Sequence, residues 1–77
     1  EQQCSLRVRG VTESSLMDLM EDLSRRFPDA KLFSLPRLGV EFQIEMGFRG
    51  YGDLDEPLAA LVAGLEERRV AFEWPAE

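Results

Sequence analysis

The stretch from Val40 to Phe48 constrains this 77-residue chain more than any other. Val40, Phe42, Ile44, Met46 and Phe48 fall on every second position, and Glu41, Gln43 and Glu45 fill three of the gaps. Successive side chains of a strand point to opposite faces, so this pattern predicts a strand with one buried and one wet face. A chain this short builds one core, and this strand is expected to form its floor.

The flanking segments supply the rest. Cys4, Leu6 and Val8 alternate with Ser5, Arg7 and Arg9, which predicts a first strand. Thr12 is placed to cap a helix carrying Leu16, Leu19, Met20, Leu23 and Phe27 at three- and four-residue spacing, ended by Pro28. Ala30 to Leu35 reads as a second strand and Pro36 to Gly39 as a turn. If that turn is four residues long, Leu35 lies opposite Val40 and Phe33 opposite Phe42, both facing the core. A slip of one residue would invert the strand.

A second helix follows, capped by Asp53 or Asp55, with Pro57 in its first turn and Leu58, Leu61, Val62 and Leu65 as its apolar stripe. Gly64 inside it suggests a close approach to the sheet. Val70, Phe72 and Trp74 then mark a last strand. Strand, helix, strand, strand, helix, strand predicts an α+β, ferredoxin-like fold. Its four-stranded antiparallel sheet has the order 4-1-3-2, with both helices on one face. Residues 1–77 form one domain, and the abrupt start at Glu1 reads as a domain excised from a longer protein. The expected core is Leu6, Val8, Leu16, Leu19, Leu23, Phe42, Ile44, Met46, Leu58, Leu61, Leu65 and Phe72.

Composition narrows the function. The chain has no histidine and one cysteine, Cys4, so no disulfide, zinc-type ligand set or cysteine–histidine pair is expected. Asp18, Glu21 and Asp22 share a helix side with Arg25, as on a solvated face, and Asp53, Asp55 and Glu56 fit helix capping better than calcium ligation. No catalytic, metal or cofactor residue is expected. A net charge of −6 opposes nucleic acid and anionic membranes. Arg49-Gly50-Tyr51-Gly52 matches the start of an RNA-recognition signature, but Asp53 stands where an aromatic is needed. With no apolar run near the ~20 residues that span a bilayer, a soluble cytoplasmic domain is expected.

Two short patterns carry a resemblance. Gly10-Val11-Thr12-Glu13-Ser14-Ser15-Leu16 and the run from Arg26-Phe27-Pro28-Asp29 through Ser34-Leu35-Pro36-Arg37 lie within Gly10 to Arg37, about a third of the chain. They resemble the small, KH-like domain after the molybdopterin-binding domain of CinA-like (competence/damage-inducible) and FAD-synthetase-associated proteins. The chain departs from that pattern over Arg49 to Asp53. The resemblance implies a non-catalytic accessory domain that docks on the preceding domain or on a second copy of itself. The alternative is an ACT-like ligand-sensing domain, in which Gly10 would belong to the ligand loop. For docking, the candidate surface is the open sheet face. It comprises Arg7, Arg9, Glu41, Gln43 and Glu45, with whichever of Leu32 or Phe33 points outward.

Overall fold

A computed structural model describes residues 1–37, 39 and 42–75. Its elements are β1 (Gln2–Arg9), a 3-10 turn (Glu13–Leu16) running into α1 (Met17–Arg26), β2 (Lys31–Pro36), β3 (Gln43–Gly50), α2 (Asp55–Glu67) and β4 (Ala71–Glu73). The sheet is antiparallel with order β2-β3-β1-β4, the α+β ferredoxin-like plan expected from the element order.

The alternation of β1 and β3 puts Leu6, Val8, Ile44, Met46 and Phe48 beneath the helices, where all are buried. Leu16, Leu19 and Leu23 descend on them from the first helical segment, and Leu61 and Leu65 from α2. Leu54, ahead of α2, joins the core without having been expected there. Leu58 and Phe72 are only half-buried, packed at its margin. Among the described residues, no helix is long and apolar enough to cross a membrane.

The register of β2 differs from expectation. Leu35 lies opposite Glu45 and Phe33 opposite Gly47, with Leu32 opposite Phe48 and Pro36 opposite Ile44. The ladder runs on past Pro36, because the Arg37 N–H donates to the Gln43 carbonyl at 3.0 Å. The connection is therefore longer than four residues, and the changed register turns over the face of every β2 side chain. Leu32 goes to the core margin, while Phe33 and Leu35 go to the open side. Phe42, expected in the core, is 56% exposed. Its φ of 54° takes it out of extended backbone, so the period of two breaks there. Val40 and Glu41 lie outside the described residues.

Helix ends explain three further positions. Thr12 makes no side-chain cap; its hydroxyl meets Ser14 Oγ at 3.1 Å, and the chain enters α1 through the 3-10 turn. Neither Asp53 nor Asp55 is the N-cap of α2: Leu54 holds that position without a side-chain cap, and Asp53, one residue before it, accepts the Asp55 N–H at 2.8 Å. At the other end, Val70 N–H donates to Leu65 O at 2.9 Å and Arg69 N–H to Glu66 O at 3.0 Å. That pair of bonds is a Schellman closure, with Arg69 at φ 57° where glycine is usual. Arg69→Gly should therefore stabilise the domain by about 1 kcal/mol, since a Cβ costs roughly that in left-handed backbone. In a domain this size the melting temperature should rise by about 4–8 °C. An unchanged or lower melting temperature would show that the closure is not strained.

Gly64 approaches α1 rather than the sheet. A Cβ there would meet Leu19 Cδ1 at 2.5 Å, so the glycine sets how closely the two helices pack.

Candidate interaction surface

The helices cover one side of the sheet and leave the other open. β1 is central, so its outward residues have a neighbouring strand on each side. The register sets Arg7 opposite Glu45 of β3 and also opposite Glu73 of β4, while Arg9 lies opposite Gln43 and Ala71. Arg7 and Arg9 were expected beside Glu45 and Gln43, and they are. The ion pairs form on the other flank: Glu73 accepts from Arg7 at 3.1 Å and from Arg9 at 3.4 Å. Glu45 instead accepts from the Ser5 hydroxyl at 3.2 Å. Glu73 was not among the candidates, although its alternation with Phe72 gives it the face opposite the core. Glu41 lies outside the described residues.

The apolar part of this surface comes from the edge strand. Leu32 does not belong to it, because it packs at the core margin. Phe33 does, together with Leu35, which is 57% exposed. Phe33 is half-buried even though it points away from the helices. Its register partner is Gly47, and an aromatic ring beside a glycine can cover the bare backbone.

In the acidic clusters, Asp18 and Asp22 are ion-paired and Asp53 holds a backbone N–H. Asp18 accepts from Arg68 at 2.8 Å, tying α1 to the end of α2, and this hydrogen bond lowers its pKa. Asp22 is bound by Arg26 at 3.2 Å and Arg25 at 2.9 Å; the Arg26 bond is the larger reason its pKa falls. Both carboxylates are more acidic folded than unfolded. Their contribution is therefore present above the ordinary aspartate pKa and lost as pH falls through the folded one. Exposure to solvent keeps it small.

Burial raises the pKa of the Cys4 thiol, outweighing its backbone hydrogen bond at Phe48, so the group is held protonated at neutral pH rather than activated. Gly10, considered as part of a ligand loop, has φ 80°, and among the described residues nothing lies within 4 Å of where a Cβ would sit. The turn out of β1 accounts for that glycine by itself. Tyr51, next to the RNA-like tetrad, is 83% exposed and follows the end of β3. It is therefore not one of the strand residues on whose face bases would stack.

No family model matches the chain, and no curated protein or solved structure shows a significant match to it.

Proposed function

We propose that this chain is a non-catalytic accessory domain serving in docking or dimerisation, of the kind that follows the molybdopterin-binding domain in CinA-like proteins. One observation carries the docking reading. The sheet has a face free of helices on which exposed Leu35 and half-buried Phe33 adjoin the ladder of Arg7, Arg9, Glu45 and Glu73. An apolar patch rimmed by fixed charges of both signs suits a protein partner. It suits nucleic acid poorly, because a phosphate backbone would meet Glu45 and Glu73 on the same face and a net charge of −6 overall. A single half-buried thiol, kept protonated, fits a reducing cytoplasm. The family assignment rests on the Gly10–Leu16 and Arg26–Arg37 patterns alone.

Glu45→Lys tests the reading. It places a third cation beside Arg7 and Arg9 at a stability cost of roughly 0.2–1 kcal/mol, so the domain should stay folded. Sedimentation velocity should then show that it no longer associates through its open face with the domain encoded immediately before it, where the wild type does. A wild-type chain that stays monomeric and ignores that domain when mixed with it at high concentration would end the docking reading.

A further inference from the structure

We propose that a second copy of this chain docks along the free edge of β2, pairing β2 with β2 antiparallel about a two-fold axis at Phe33, to give one continuous eight-stranded sheet. This deepens the docking reading and rests on it. The argument starts from which backbone groups the edge leaves unused. Arg37 bonds to Gln43 through its N–H, so the odd-numbered residues of β2 turn their polar groups toward β3. The even-numbered residues, Leu32, Ser34 and Pro36, turn theirs outward. Pro36 has no N–H to offer, which is why proline is tolerated there. The outward donors within β2 are thus the N–H groups of Leu32 and Ser34.

Of the registers that keep the open faces of both copies on the same side, those centred on Ser34 and on Phe33 pair the most residues of β2. Centred on Ser34, the pairing would set Pro36 opposite Leu32 of the other copy, where an N–H is required, and Arg37 opposite Lys31, cation against cation. Centred on Phe33, it sets Leu32 opposite Ser34 in two reciprocal pairs, which use the available donors and ask nothing of Pro36. Phe33 then meets its own copy across the axis at a closely spaced pair, where aromatic contacts are favourable. Lys31 lies beside Leu35 and can lay its aliphatic stem over it. Beyond the strand ends, Arg37 faces the turn of residues 28–30 of the other copy, which carries Asp29, so each end offers an opposite-charge pair. Of the two, this register makes the edge complementary to itself in donors and charge, as an isologous interface requires.

Charge exchange tests both the partner and the register. Arg37→Asp should weaken dimerisation by roughly tenfold or more in sedimentation equilibrium, since it sets Asp against Asp29 at both ends. Asp29→Arg should do the same by setting Arg against Arg37. An equimolar mixture of the two variants should recover a dimer about as tight as the wild type, because each end again pairs opposite charges. Independently of charge, Phe33→Cys should form an interchain disulfide under oxidising conditions, since closely spaced antiparallel partners lie within disulfide reach. A strictly monomeric wild type, single variants that dimerise normally, or a mixture that fails to recover would each overturn the proposal. A dimer abolished by Glu45→Lys but indifferent to the Asp29 and Arg37 changes would reject the edge and leave open-face docking standing. Binding to the preceding domain without any self-association would do the same.

Discussion

Phe48→Ala should cost about 3–5 kcal/mol, the range for removing a fully buried aromatic ring. Phe48 has no exposed surface, lies between Cys4 of β1 and Leu32 of β2, and makes an edge-on contact with the Phe27 ring at 6.3 Å. Its loss opens a hole where the sheet meets the end of α1, and a core built from so few side chains has little material with which to close it. At roughly 0.05–0.15 kcal/mol per residue, a domain of this length has about 4–12 kcal/mol in total, so this loss is a large part of its stability. Urea denaturation followed by circular dichroism would measure the loss, with Phe48→Leu as the milder variant that still folds. Phe42→Ala is the control. Phe42 shares the sequence alternation of Phe48 but is exposed, so its truncation should leave the midpoint nearly unchanged. Equal losses at the two positions would mean that β3 begins earlier than Gln43.

Gly47→Ala should be nearly as damaging, by about 3 kcal/mol, for the opposite reason. A methyl group there would be driven into the backbone of β1, overlapping the Cys4 carbonyl oxygen and approaching Ser5 Cα at 2.6 Å. Those atoms belong to the central ladder and cannot swing aside as a side-chain tip would. Gly52→Ala gives the scale for backbone conformation alone. Its φ is 95° but, among the described residues, nothing lies within 4 Å of the added carbon, so roughly 1 kcal/mol is expected. Matching melting temperatures for the two alanine variants would show that β1 and β3 are less closely opposed at Gly47.

Where a period was long and unbroken, the sequence by itself determined the structure. Gln43 to Phe48 alternates without interruption, and its apolar positions are buried. The stripes of α1 and α2 likewise predicted Leu19, Leu23, Leu61 and Leu65. The element order then fixed the strand order, because handed crossovers leave few ways to connect such elements. Local chemistry was legible in part at Asp53, whose carboxylate bonds the N–H two residues on although Leu54 holds the N-cap position. Arg7, Arg9, Gln43 and Glu45 could be placed together on the open face for the same reason, since parity along a strand is a local property.

What only the tertiary structure decided were the quantities that depend on how two segments meet. The register of β2 turned on the length of the connection to β3, and turn residues mark where a chain bends without fixing the pairing that follows. One odd offset was enough to exchange Leu32 and Phe33 between core and open face. Phe42 was lost to the core because a single positive φ interrupts an alternation that looks continuous in the letters. Gly64 was identified as a close approach, but only the packed helices show that it faces Leu19. The ion pairs went to Glu73 instead of Glu45 because a central strand offers each outward residue two neighbours. Which one an arginine reaches is set by the twist and spacing of three strands together.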